Sequence, residues 1–379
     1  MKIQRIYVEK VDSIKGQVIP RVKTFSDGEF LGRHLPITNR VAYIENRRIE
    51  HFSKKPFQSK ITFGTVPYFP DPDIKTYMAQ YLDFLKSGAH RDRICLAGLQ
   101  RSFKERKVLT EEQAFKDFGA FVENDMEYAV IEIPFKMNFA DIKKLQKNAE
   151  SILSKSQKLV TEVHTRQDSE IVGEVLKEEV AKQSHFLFVG CGSLWEEPNI
   201  LTCAKIWDIS RQIKEGESIP LVVAKHPQRY QQSYGNTASS FAFNSFNMPI
   251  VAEYLSLVPE EVKRQFNKVH PHHYSIYDPS EGRFLASKFQ AMLDKNNILR
   301  EYYQSMNLME GVGTPYDAVL ALNHVSQQGD TSLQNHMIND DSFSELIDYN
   351  SDSCKPGWAE FYRDCRKKIP MTMTLRGGR

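Results

Sequence analysis

Four short runs decide the fold: KLVTEVHTRQD (158–168), HFLFVGCGS (185–193), IPLVVAKHP (219–227) and SFAFNSFN (240–247). Each holds a burst of Val, Leu, Ile or Phe that is too short for a buried helix, so each reads as a strand. The predicted strands are Leu159–Val163, Phe186–Val189, Pro220–Ala224 and Phe241–Ser245. Between the first two lies Ser169–Lys182, with Ile171, Val172, Val175, Leu176 and Val180 at helical spacing. Between the second and third lies Asn199–Lys214, with Ile200, Cys203, Ala204, Ile206, Trp207, Ile209 and Ile213. Strand and helix in alternation predict parallel βαβ units. Each strand then ends in polar residues: His164 to Asp168, Gly190 to Ser193, Lys225-His226, and Asn244 to Asn247. The carboxyl ends of parallel strands are where α/β folds place ligands and chemistry. That coincidence points to an enzyme.

Working outward, the same alternation extends toward the N-terminus. Ser59–Phe69, Arg93–Leu99 and Tyr128–Phe135 read as strands. Ile74–Lys86, Thr110–Glu123 and Ala140–Ser154 read as the helices between them. Thr110 with Gln113 three residues on forms a capping box. Val251–Lys268 is predicted helical, as are Leu285–Asn307 and Pro315–Val325. The spacing predicts a (β/α)8 TIM-like barrel over 58–325, with His273–Tyr277 or Leu308–Val312 as the eighth strand. A Rossmann sheet fits less well, because Gly190-Cys191-Gly192 lacks the third glycine of that fingerprint. Residues 1–57 differ: Ile3–Val11, Gln17–Thr24 and Arg40–Phe52 alternate apolar and polar residues and predict an antiparallel β extension. Residues 326–379 read as a polar and helical C-terminal extension with a basic end.

Composition sets bounds. The chain has 379 residues, 41% hydrophobic and 26% charged, as in an ordinary globular protein. A net charge of +2 neither demands nor excludes a nucleic-acid partner. No apolar run is long enough for a membrane span, and the N-terminus lacks a signal-peptide core, so no membrane partner and a cytoplasmic location are expected. The 5 cysteines are scattered without a CxxC, which argues against a disulfide framework or zinc knuckle. His270, His272 and His273 have no second ligand cluster at a metal spacing, and neither metal nor cofactor is expected.

The candidate chemistry sits at the strand ends. Asp71 and Asp73 follow the first barrel strand, as acid/base carboxylates or as turn and cap residues. Glu132 lies inside an apolar strand, so it is either paired to a barrel cation or functional. Glu162 and His164 share a strand face by the period of two. His164, Arg166 and Asp168 form a dense polar terminus suited to proton transfer and anion binding. Gly190 and Gly192 permit close backbone approach to a ligand. Lys225 could form a Schiff base or, with His226, hold an anion. Asn244 and Asn247 offer amides to a base edge. The expected set is therefore Asp71, Glu132, His164 and Asp168 for catalysis, with Arg166, Gly190, Gly192, Lys225, His226, Asn244 and Asn247 for substrate.

The order of features from Lys158 to Met248 resembles the second half of the tRNA-guanine transglycosylase family, which includes DNA 7-deazaguanine insertion enzymes. The corresponding positions are Val163–Gln167, Val189–Ser193, Leu221–His226 and Phe241–Asn247. Asn244 stands where that family carries a nucleophilic aspartate, and the family's Asp-Ser-Gly-Gly-Phe motif and cysteine zinc site are absent. Leu308-Met-Glu-Gly-Val-Gly-Thr-Pro315 is similar to the family's Gly-Val-Gly-Thr-Pro signature. The resemblance implies base exchange on a nucleotide or nucleic-acid substrate. Two other functions fit the residues: a class I aldolase-like lyase using Lys225, and a catalytically silent barrel that binds nucleic acid or protein.

Overall fold

The computed structural model describes residues 3–12, 17–24, 29–31, 37–38, 61–67, 79, 83, 94–101, 103–190, 197–225, 250–252, 273–278 and 283–288. Within them the fold is α/β, built on parallel strands. Strands β1 (Ile3–Asp12), β2 (Gln17–Thr24) and β3 (Glu29–Leu31) form an antiparallel sheet in the order β1-β2-β3. Strands β4 (Ile37–Thr38), β5 (Ile61–Pro67) and β6 (Ile94–Gln100) pair in parallel.

The chain then alternates. A short helix α1 (Phe103–Lys107) and helix α2 (Glu111–Glu123) lead to β7 (Tyr128–Glu132). Helix α3 (Phe139–Glu150), β8 (Lys158–His164), α4 (Ser169–Ala181) and β9 (Phe186–Gly190) follow. Helix α5 (Glu197–Ser210), β10 (Leu221–Lys225) and β11 (Ile250–Ala252) complete the unit. Strands β7 to β11 make one five-stranded sheet in sequence order, and each described pair is parallel.

Local chemistry sets the helix starts. Thr110 is extended (φ −100°) and its hydroxyl accepts from Gln113 N at 3.2 Å, as the capping box predicts. Asn138 caps α3 by accepting from Asp141 N at 3.0 Å. The apolar face of α2 buries Ala114, Phe118 and Phe121, and β7 is buried along its whole length. Phe118, Phe121, Tyr128, Phe186 and Phe188 are the largest fully buried side chains. Each aromatic burial of this kind stabilises the fold by about 1.5–3 kcal/mol.

Beneath the strand starts, β1 docks on the turn that precedes β10. Val8 N donates to Glu217 O at 2.9 Å, and Gly216 N donates to Val8 O at 2.7 Å. Ile219 N donates to Ile6 O at 3.2 Å, and Arg5 Nε donates to Ser218 Oγ at 3.1 Å. Ile3, Ile6 and Val8 are buried there, so the hairpin adds to the common core. Gly216 has φ 81°, a conformation that favours glycine in this tight turn.

Three expectations change. The strand hydrogen-bonded to β10 is Ile250–Ala252, at the point where the predicted helix Val251–Lys268 should begin. Its β-branched Ile250-Val251 pair favours a pleated strand over a helical turn. His273–Asp278 is β12, and it pairs antiparallel with β13 (Arg283–Lys288). It therefore forms a hairpin rather than the eighth parallel strand, and the predicted helix Leu285–Asn307 starts within β13. The turn formers Pro279, Ser280 and Gly282 lie between the two strands in sequence, which explains the hairpin. The predicted strands Arg40–Phe52, Phe241–Ser245 and Leu308–Val312, and the C-terminal extension, lie outside the described residues. Among the described residues no helix is long and apolar enough to cross a membrane.

Candidate active site

Parallel register brings the strand ends together. Glu132 of β7 pairs with Glu162 of β8, His164 of β8 pairs with Gly190 of β9, and Gly190 pairs with Lys225 of β10. Paired residues of parallel strands share a face, and Glu162 and His164 share one by period two. Glu132, Glu162, His164 and Gly190 thus occupy one face at the carboxyl ends of the sheet, with the Lys225 backbone in register beside Gly190. Thr161 takes the other face. Its hydroxyl donates to Glu179 Oε1 at 2.7 Å and accepts from Gln146 Nε2 at 2.8 Å, tying β8 to α3 and α4.

A buried ionic network underlies this rim. Arg101 Nε donates to Glu132 Oε2 at 2.8 Å, and Arg101 Nη2 pairs with Asp117 Oδ2. Arg106 Nη1 lies 2.9 Å from Glu132 Oε1 and 2.9 Å from Glu162 Oε1. The angle favours Glu162 as its hydrogen-bond acceptor, so its pairing with Glu132 is ionic only. Gln113 Nε2 donates to Asp117 Oδ1 at 2.7 Å and orients that carboxylate. Two guanidinium groups therefore hold Glu132, Glu162 and Asp117, with every member less than 8% exposed. Burial on this scale is sustained only by pairing.

Gly190 makes the network possible. A Cβ there would stand 2.8 Å from His164 Cδ2 and 2.9 Å from Arg106 Nη1, both closer than real Cβ contacts. Gly190 gives the imidazole and the guanidinium room to lie over β9. Gly190 O also accepts from Thr165 N at 2.9 Å, continuing the ladder past the strand end.

His164 is 6% exposed and held from several sides. Its N–H donates to Gln167 Oε1 at 2.8 Å, while Gln167 Nε2 donates to Pro134 O at 3.2 Å. Its ring Nδ1 accepts from Arg166 N at 3.0 Å, and the Phe135 ring lies 5.2 Å away, centroid to centroid. Thr202 Oγ1 of α5 donates to Thr165 O at 3.3 Å and supports the turn from behind.

The expected residues are placed as follows. Glu132 takes the ion-pair alternative: its carboxylate is held by Arg101 and Arg106. His164, Gly190 and the backbone of Lys225 stand side by side, and Arg166 follows at the same rim. Asp168 is exposed and caps α4, accepting from Glu170 N at 2.9 Å. Helix capping is the job the structure shows for it, because its position just before the first turn suits orphan amide donors. Asp71, Gly192, His226, Asn244 and Asn247 lie outside the described residues. Arg101, Arg106 and Asp117 were absent from the expected set. Arg101 is legible in hindsight as a cation at a strand terminus, but nothing local marks Arg106 or Asp117. Among the described residues no group of three or more His, Cys, Asp or Glu is arranged to hold a metal.

No family model matches the chain, and no curated protein matches it. Among solved structures it is similar to 3-dehydroquinate dehydratase from Enterococcus faecalis, with a TM-score of 0.35 and 12% identity over 62% of this chain and 92% of that one. It is also similar to the enoyl reductase domain of MlnA from the macrolactin biosynthesis cluster of Bacillus amyloliquefaciens, with a TM-score of 0.33 and 8% identity over 89% and 94%. Overlaps this shallow transfer neither a fold nor an activity.

Proposed function

We propose that the chain closes into a (β/α)8 barrel and that its strand-end rim handles a carbonyl compound, with Lys225 as the imine-forming residue of a lyase. The observation that carries this reading is the row His164–Gly190–Lys225 on three adjacent parallel strands. It sets a proton carrier and an amine-bearing residue two strands apart, about 10 Å between backbones, with Gly190 on the strand between them. The substrate in this reading is a small ketone or aldehyde. Its carbonyl carbon would take the Lys225 nitrogen, lose its oxygen as water and leave a protonated imine that withdraws electrons from the adjacent carbon. His164 would exchange a proton with an oxygen of the same substrate. Arg166 at the rim suits an anionic group on that substrate.

Base exchange on a nucleotide makes a different demand. It needs a carboxylate nucleophile at a strand end, and Glu132 and Glu162 are both engaged by guanidinium groups. Lyase chemistry at Lys225 needs neither of them unpaired.

The test is borohydride trapping of the full chain with pyruvate and with dihydroxyacetone as probes, read by intact mass and peptide mapping. A reduced adduct on Lys225 that is lost in Lys225→Ala supports the reading. No mass increase at Lys225 with either probe removes it. A second reading, a silent barrel that binds a ligand without turning it over, is favoured by the same paired carboxylates. It predicts probe binding without a trapped adduct.

A further inference from the structure

We infer that His164 faces the ligand as a hydrogen-bond donor, with its proton held on Nε2 by the main-chain amide of Arg166. This rests on the reading of the rim as a ligand site, but not on imine chemistry at Lys225. A neutral imidazole has one protonated nitrogen and one lone pair. The lone pair on Nδ1 accepts from Arg166 N at 3.0 Å, so the ring proton belongs on Nε2. A proton on Nδ1 would face an amide N–H, donor against donor. The amide cannot turn away cheaply, because Gln167 bridges the two ends of the segment. Gln167 Oε1 accepts from His164 N at 2.8 Å, Gln167 Nε2 donates to Pro134 O at 3.2 Å, and Gln167 N donates to His164 O at 2.9 Å.

Ring orientation then assigns the direction of the proton. The Cδ2 edge of His164 lies over Gly190, within 2.8 Å of where a Cβ would stand. Nε2 is bonded to Cδ2, so it lies on the ring edge away from Arg166 N and beside Gly190, whose strand neighbour is Lys225. Whatever meets Nε2, a protein group at rest or a ligand in use, must bring a lone pair. The ligand therefore carries a carbonyl, hydroxyl or carboxylate oxygen at this point. His164 in its resting form delivers a proton to that oxygen and does not remove one from carbon. Arg166 acts here as a positioning residue through its backbone.

The test is nitrogen NMR of the full chain labelled with ring-¹⁵N histidine, near neutral pH. The chain has 11 histidines, so the His164 signals are assigned by their loss in His164→Gln. The expected pattern is a single neutral tautomer protonated on Nε2. A pattern protonated on Nδ1, or an averaged mixture, overturns the inference. Arg166→Pro deletes the amide N–H, and the single tautomer should then relax to a mixture. An unchanged pattern in a folded Arg166→Pro variant also overturns it. The wild-type spectrum decides alone if that variant does not fold. Because the spectrum is recorded without a carbonyl probe, its failure is distinguishable from failure of trapping at Lys225.

Discussion

Replacing Arg106 with Met keeps the length of the side chain and removes the charge that Glu132 and Glu162 share. Glu162 is 1% exposed, and Arg106 is the cation 2.9 Å from its carboxylate. Glu132 keeps Arg101 at 2.8 Å, so the lost pairing falls chiefly on Glu162. Removing one partner of a buried pair costs about 3–5 kcal/mol, mostly because the other charge is left in a dry site. For a domain of this size that lowers Tm by roughly 10 °C. The converse change is milder. Glu162→Gln leaves Arg106 beside Glu132 Oε1 at 2.9 Å and should cost about 1–2 kcal/mol. The double variant Arg106→Met with Glu162→Gln contains no orphaned carboxylate at that point. It should be more stable than Arg106→Met alone, with a coupling of about 2 kcal/mol toward recovery. Urea unfolding of the four proteins measures this cycle. Additive single effects, or a loss below about 1 kcal/mol in Arg106→Met, would refute the argument that Arg106 neutralises a buried carboxylate pair.

Two further outcomes follow from the same geometry and from the opposite end of the strands. Gly190→Ala places a methyl against His164 Cδ2 and Arg106 Nη1, which must shift; about 1–3 kcal/mol of stability should be lost, with a displaced His164 ring signal, and an unperturbed spectrum would contradict the clash. Burial, and then the neighbouring Lys158, lower the pKa of His185 to about 4, and its Nδ1 lies 3.0 Å from Tyr128 Oη. The folded value lies below the unfolded one of about 6.5, so this stability is fully present above pH 6.5 and is lost as pH falls through about 4. The full loss is about 3 kcal/mol, and urea midpoints across that window should flatten in His185→Phe.

Much of the secondary structure is a local property and was legible in the residues. The βαβ rhythm from Lys158 to Lys225 follows from apolar runs of strand length separated by helical stripes. Thr110 and Gln113 announce the start of α2 because a cap and its amide lie three residues apart. The grouping of His164 with Lys225 was also legible, because strand ends of parallel βαβ units share a rim whatever lies between them. Asp168 shows the limit of such reasoning: a carboxylate after a strand is equally a cap before a helix, and only the Glu170 N contact distinguishes the two.

What the tertiary structure alone decided is who holds whom. Arg101 is 31 residues from Glu132, and Arg106 is 56 from Glu162, so no periodicity relates them. Their pairing depends on β6 lying beside β7, on Arg106 of α1 reaching the ends of β7 and β8, and on Gly190 leaving space over β9. The tautomer of His164 likewise depends on a backbone amide whose direction no composition records. The apolar pattern dictates which segments are buried because burial free energy scales with the surface each segment hides. Charge pairing in a dry interior depends on distance in space, and that distance exists only once the strands are laid side by side.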